Sequence, residues 1–256
     1  MPRDADVLKP MLRKLQLWRP LSVEEQAALL DLPCSVVELA PHKYIVREED
    51  CTTQSCLVMS GFAFRQKLGQ HGARSILGLH MSGDLVDLQN SMLEVADHSV
   101  QALTDAVVAF IPREAIVDLA LRFPNIGLAM WYDTLVDGSI AREWTVNIAR
   151  RAGHVRIAHV ICEFGIRLES LGLGTRNGYE FPLTQDQLAD AVGLTPVHVN
   201  RMLKELERGG LISRAGRHIS VADWARLAAT GDFRDTYLHL KHSGAGPVAP
   251  QLLPGR

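Results

Sequence analysis

The sequence predicts an α+β chain in three parts: an antiparallel β barrel or sandwich, a long helix, and a helix-turn-helix backed by a small hairpin. Three observations carry this. Between Val36 and Ile111, short β-rich runs alternate with turn residues. After Pro112 the apolar residues recur at helical spacing. The stretch Leu183–Val221, "LTQDQLADAVGLTPVHVNRMLKELERGGLISRAGRHISV", is punctuated like two capped helices followed by two strands.

The bulk numbers set the limits. The chain has 256 residues, 47% of them hydrophobic and 22% charged, enough for one large domain or two small ones. No apolar run approaches the roughly 18–20 residues that span a bilayer. The start, "MPRDADVLKPMLRKLQLW", mixes charges and lacks a signal-peptide core. The expectation is a cytoplasmic protein without a membrane partner. Cys34, Cys51, Cys56 and Cys162 contain no C-x-x-C spacing, so neither a disulfide framework nor a metal site is expected. The net charge of −2 hides an asymmetry. Residues 1–149 hold 13 Lys and Arg against 19 Asp and Glu, whereas residues 150–218 hold 10 against 7. The positive segment contains the quoted stretch, and its sign suits phosphate.

Each element has its own warrant. Residues 15–32 read as short helices, with Ser22 and Glu25 spaced as a capping box. The β runs are "SVVELA", "KYIV", "SCLVMSGFAFRQKL", "RSILGLHM", "HSVQAL" and "AVVAFI", with Gly61, Gly69, Gly72, Gly78 and Gly83 at the expected turns. "REAIVDLALRF" is a helix, and Pro124 opens a longer one reaching about Ala149. Leu128, Trp131 and Leu135 lie on it at spacings of three and four, with Ile140 and Trp144 further on. Met130, Trp131 and Val136 spread wider than one docking stripe needs, which points to a second buried face, most simply a dimer partner. Residues 152–172 form an amphipathic helix and "GLGTRNGYEF" a loop. The parts divide as 1–112, 113–150 and 151–225, with a disordered tail expected over 242–256.

Within the quoted stretch, Thr184 caps a helix starting at Gln185, with Leu188, Ala189 and Val192 inward and Gly193 ending it. Thr195 caps a second helix with Pro196 at its first position. Val199, Met202, Leu203 and Leu206 give it one buried face. Val197, His198, Asn200, Arg201 and Lys204 face outward. This is a helix-turn-helix whose second helix would read bases in a DNA major groove. Arg201 suits guanine, Asn200 adenine, and Val197 a thymine methyl. Thr184, Gln185, Thr195 and Lys204, with Arg214, Arg217 and His218 on a two-stranded wing tipped by Ala215-Gly216, would hold the DNA backbone.

These residues resemble the Crp–Fnr family, the cyclic-AMP receptor protein group, over roughly residues 15–225. The resemblance implies an N-terminal β-roll of the cyclic-nucleotide-binding, jelly-roll type, a dimerisation helix carrying Leu128, Trp131 and Leu135, and a C-terminal winged helix-turn-helix. It implies a homodimeric transcription regulator on a palindromic DNA site. The implied partners are duplex DNA, a second copy, RNA polymerase and an effector of unidentified class. Arg201 keeps the family's recognition arginine, but Val197 stands where a glutamate is usual and Asn200 where a small residue is usual. Valine cannot accept from cytosine N4, so the half-site should differ from the familiar TGTGA and TTGAT types.

The effector site departs further. The stretch matching the family's phosphate cassette is "GDLVDLQNSMLEVADHSV", from Gly83 and Asp84 to Val100. Asp87-Leu88 stands in place of Gly-Glu, and His98-Ser99 in place of Arg-Ser. A neutral histidine is a poor substitute for a guanidinium, and Asp84 and Asp87 disfavour an anion. No cofactor is expected and cyclic nucleotide binding is disfavoured. His98 could instead respond to pH or an anion. No cysteine precedes Cys34 to hold an iron–sulfur cluster, and His42, His71 and His80 form no haem signature. Walker A, G-x-G-x-x-G, G-x-S-x-G and H-E-x-x-H motifs are missing, so an enzyme is not expected. The other readings are a protein-interaction module and a cyclic-nucleotide-responsive regulator.

Overall fold

The computed structural model describes residues 7–70 and 72–240. His71 and the tail expected over 242–256 lie outside the described residues. The chain opens with α1 (Lys9–Trp18) and α2 (Val23–Leu30). α1 starts earlier than the sequence reading placed it, because Met11, Leu12, Leu15 and Trp18 bury one helical face and Pro10 is tolerated in the first turn. Ser22 and Glu25 form the expected capping box.

Seven strands follow: β1 (Ser35–Leu39), β2 (Tyr44–Val46), β3 (Gln54–Ser60), β4 (Ala63–Leu68), β5 (Arg74–His80), β6 (Ser99–Ala102) and β7 (Ala106–Pro112). They form two antiparallel sheets, ordered β1-β7-β3 and β2-β6-β4-β5. Cys56, Val58, Ala63, Val100 and Val108 fill the space between them. Alternate residues such as Leu57, Phe64, Ile76 and Ile111 face the helices instead. Gly61 does sit at a turn, at φ +79°, and a side chain there would meet the Asp105 carbonyl. Gly78 does not. It lies inside β5 at a bulge, where Gly78 pairs with Arg65 and Ile76 with Gln66, leaving Leu77 as the extra residue, a usual place for a strand glycine.

A 3-10 turn (Leu88–Ser91) links β5 to β6, and α3 (Arg113–Arg122) follows β7. α4 (Pro124–Arg150) has 27 residues and is about 40 Å long at 1.5 Å per residue. Its buried residues include Ile126, Met130, Val136, Ile140 and Trp144. Met130 and Val136 therefore belong to the inner stripe. Leu128, Trp131 and Leu135 form a separate outer row, 43%, 63% and 55% exposed.

α5 (Gly153–Ser170) is buried along most of its length. The last part comprises β8 (Gly178–Glu180), α6 (Gln185–Val192), α7 (Pro196–Arg208), β9 (Ser213–Ala215), β10 (His218–Ser220) and α8 (Trp224–Thr230), then a 3-10 turn (Asp235–Leu238). The wing is a three-stranded sheet, β8-β10-β9, rather than the two-stranded hairpin of the sequence reading. β8 lies in the segment read as a loop, and three residues are too few to show alternation. α6 packs on β5, where Arg74 pairs with Asp190 at 2.7 Å. The arrangement is the α+β architecture expected: β domain, long helix, helix-turn-helix.

Candidate DNA interface and effector pocket

The helix-turn-helix forms by local rules. Thr184 accepts the Gln187 amide while Gln187 returns a bond to the Thr184 backbone, closing a capping box. Gly193 ends α6 at φ +64°, in the left-handed region. Thr195 accepts the His198 amide, and Pro196 takes the first helical position. Both threonine oxygens serve as caps, which leaves their hydroxyl hydrogens to donate outward. Val199, Met202, Leu203 and Leu206 are buried, so the opposite face of α7 is fixed outward.

That outward face is a concave patch lined by Gln185, Pro196, Val197, Asn200, Arg201, Lys204 and Arg208. Val197 is 82% exposed, unusual for a valine without a partner. The Asn200 amide donates to Gln185 Oε1 at 3.0 Å, so the two helices present their carboxamides together. Arg208 is a cation that the sequence reading missed. It follows Arg201 and Lys204 at helical spacing, and that spacing could have found it.

Other predicted residues are more engaged than expected. His198 is half-buried over Gly153, where an added Cβ would come within 3.1 Å of its Nε2, and it lies 3.4 Å from Arg201. Arg214 makes two bonds to Glu207, at 2.8 and 3.0 Å, and braces the wing against α7. His218 turns toward Glu180 at 3.5 Å. Arg217 stays exposed at the wing tip, beside Gly216 at φ +63°.

The six residues predicted for an effector pocket do not converge. Gly83 is pressed onto α1, where a Cβ would lie 2.9 Å from the Pro10 carbonyl. The Asp87 carboxylate turns inward to accept the Cys56 amide at 2.7 Å, and burial pushes it up to about 7. Ser99 accepts the Glu48 amide. Only Asp84 and Leu88 line the cavity between the β-roll and α4, which is about 30 Å³ and is walled also by Lys14, His80, Asp133, Asp137 and Arg167.

A cation of the chain itself occupies the space beside His98. Arg65 donates to His98 Nε2 at 3.0 Å, to Asp137 at 2.7 Å and to the Val86 carbonyl at 2.9 Å. Because Nε2 accepts, the proton of His98 sits on Nδ1, 2.6 Å from Asp97. Burial and then Arg65 hold His98 below its ordinary value, so it stays neutral near pH 7. Asp84 ties α1, α5 and the end of β5 together: it accepts from Lys14 at 2.6 Å, from Arg167 at 3.0 Å and from the Met81 amide, with His80 at 3.7 Å. Burial raises its carboxyl, but Lys14, His80 and Arg167 outweigh burial and hold it well below the usual carboxylate range. Sequence reading missed this cluster because its members come from segments far apart in the chain.

Comparison with known proteins agrees with the fold and its two domains. The Crp-like helix-turn-helix domain matches residues 155–230, and the cyclic nucleotide-binding domain matches residues 36–123. The transcriptional activator protein FnrL of Cereibacter sphaeroides is 30% identical over 174 residues, 66% of this chain and 69% of that one. The fumarate and nitrate reduction regulatory protein of Salmonella typhimurium is 25% identical over 174 residues, 67% of this chain and 68% of that one. The structure of FixK2 from Bradyrhizobium japonicum superposes with a TM-score of 0.71 at 22% identity, covering 78% of this chain and 98% of that one. With its helix-turn-helix and its β-roll matched in turn, the chain belongs to the Crp–Fnr family of DNA-binding transcription regulators.

Proposed function

We propose that this regulator binds as a homodimer to an inverted repeat and works without a cyclic nucleotide. The observation that carries the DNA reading is the outward face of α7, which sets Val197, Asn200 and Arg201 beside the cations Lys204 and Arg208. Arg201 reads guanine, Asn200 adenine and Val197 a thymine methyl. Thr184, Gln185, Thr195, Lys204, Arg208 and Arg217 hold phosphates. The exposed row Leu128, Trp131 and Leu135 on α4 supports pairing with a second copy.

The effector reading rests on space and charge. A cavity of about 30 Å³ has room for about two waters, whereas ligand sites run to roughly 300 Å³ or more. Its three carboxylates, Asp84, Asp133 and Asp137, outnumber the cations Lys14 and Arg167, which are already paired with acids, and the guanidinium of Arg65 beside it is taken up by Asp137 and His98.

The test is selection of binding sites from random duplex DNA by the purified protein, with and without cyclic AMP. The expected result is one inverted repeat, with half-sites about a helical turn apart, unchanged by the nucleotide. Enrichment only with cyclic AMP would overturn the effector reading, and enrichment of single, unpaired half-sites would overturn the dimer.

A further inference from the structure

Beyond α8 the chain does not leave the molecule. Residues Gly231–Leu240 run back from the winged-helix unit across the α4–α5 junction to α4 and α1. Gly231 lies so close to α5 that a Cβ would come within 2.8 Å of the His159 amide nitrogen and 3.0 Å of the Ala158 carbonyl carbon. Its φ is −80°, so glycine is required here for closeness and not for backbone freedom. Asp232 follows at φ +46° and accepts from Arg151 at 3.2 Å. Arg151 is the first of the two residues between α4 and α5, and it also donates to Glu143 of α4 at 2.6 Å. One guanidinium thus joins the helix before the junction to the segment that returns over it.

The segment then enters a polar chain inside the protein. His159 Nδ1 lies 3.1 Å from the Gly231 carbonyl, and its ring stacks on Tyr237 at 5.8 Å. Phe233 meets the same ring edge-on at 5.2 Å. The Tyr237 hydroxyl donates to Glu163 at 2.8 Å. Glu163 also accepts from Trp144 of α4 at 3.0 Å and lies 3.5 Å from Arg167, which reaches Asp84 of the β-roll. Leu238 is 1% exposed. Together with Leu240 it lines a crevice that also takes in Lys14, Trp18, Val136 and Ile140. His239, at φ +51°, packs edge-on against Tyr132.

We infer that Gly231–Leu240 is an intramolecular clamp that holds the DNA-binding unit at one orientation across the Arg151 junction, with α7 facing outward. The inference rests on the DNA-binding reading for its consequence, but not for its geometry. Packing of α6 on β5, with the Arg74–Asp190 pair, already limits swing of the DNA-binding unit, and the two-residue junction is what it leaves to be held. The clamp fixes it through contacts on both sides, so orientational freedom is not lost on meeting DNA. Relaxing the clamp therefore weakens specific binding.

The experiment uses the full chain and two variants, Gly231→Leu and Tyr237→Phe. Hydrogen exchange is followed at the amides of residues 151–156 and of α6, with the β-roll strands as internal control. Affinity is measured on the operator selected by the parent protein. Gly231→Leu should speed exchange at the junction at least tenfold with strand protection unchanged, and lower operator affinity at least fivefold. Tyr237→Phe, which keeps the ring and loses only the hydroxyl, should move both readouts the same way by a smaller factor. It decides the matter if the leucine variant does not fold. Unchanged junction exchange in a folded variant would overturn the clamp, and so would tighter operator binding. If the parent protein selects no operator, the DNA reading fails, while junction exchange still decides whether the clamp exists.

Discussion

Replacing Asp84 by Asn should cost the protein about 3–5 kcal/mol, because it removes the charge on which two buried cations converge. The magnitude follows from the geometry. Lys14 lies 2.6 Å and Arg167 3.0 Å from the carboxylate. At an effective dielectric of about 20 these pairs are worth about 6 and 5.5 kcal/mol of gross attraction. Most of that only offsets the desolvation of three charged groups. Neither cation is stranded, since Lys14 keeps Asp133 at 3.6 Å and Arg167 keeps Glu163 at 3.5 Å. The net loss is therefore a fraction of the gross figure. Urea denaturation followed by tryptophan fluorescence measures it, and the midpoint should fall with the slope unchanged. The pH dependence has a fixed sign. The folded carboxyl of Asp84 lies below its ordinary 3.8, so the stability it gives is complete above that value and fades as pH falls toward the folded value. A loss under 1 kcal/mol in Asp84→Asn would refute the reasoning.

Other substitutions address the remaining parts. Lys204→Ala and Arg208→Ala should each weaken binding to all DNA sequences alike and lower the salt slope by about one, as read from affinities at several salt concentrations. Arg201→Ala should instead cost about 1–3 kcal/mol at one base pair of the half-site and relax selection there alone. Trp131→Glu should raise the dimer dissociation constant at least a hundredfold in sedimentation, since it places a charge amid the outer row of α4. Asp87→Asn should flatten the pH dependence of stability between 4 and 7. The Asp87 carboxyl titrates at about 7 in the folded chain against an ordinary 3.8, so the folded state holds a proton that the unfolded state releases. Stability falls as pH rises through that window, by roughly 4 kcal/mol at 1.36 kcal/mol per unit. Asparagine can still accept the Cys56 amide and removes the titration.

The strands of the β-roll were legible because they fall in short β-rich runs bounded by turn residues, with β3 and β4 in one run broken at Gly61. The helix-turn-helix was legible because Thr184, Gly193, Thr195 and Pro196 are local signals that need no tertiary context. The helical period in α4 was also plain, but period alone does not say which side meets the same chain. Leu128 and Val136 look alike in the sequence, and only packing separates the outer row from the inner stripe. The effector region was misread for a related reason. Alignment with a cassette placed Asp87 and Ser99 in a pocket, whereas backbone amides of Cys56 and Glu48 claim their side chains. Arg65, which fills the region, lies outside the cassette and carries no motif. The segment after Val221 was left without elements because Trp224–Thr230 is too short to show a period and Gly231–Leu240 is held by residues far away in the chain.

The polar chain through Asp84, Arg167, Glu163 and Trp144 bears on how such proteins recombine. Regulators built from a β-roll and a winged helix invite chimeras, in which one sensor is grafted onto another protein's DNA-binding unit at the helix junction. In this chain the cut would fall between Trp144 and Glu163, and it would separate Arg167 from Asp84. A donor sensor lacking an acid at the Asp84 position would leave a guanidinium in the interior with half its neutralisation. The two halves are thus matched to each other by charge as well as by shape, and each substitution on one side constrains which residues the other side can accept.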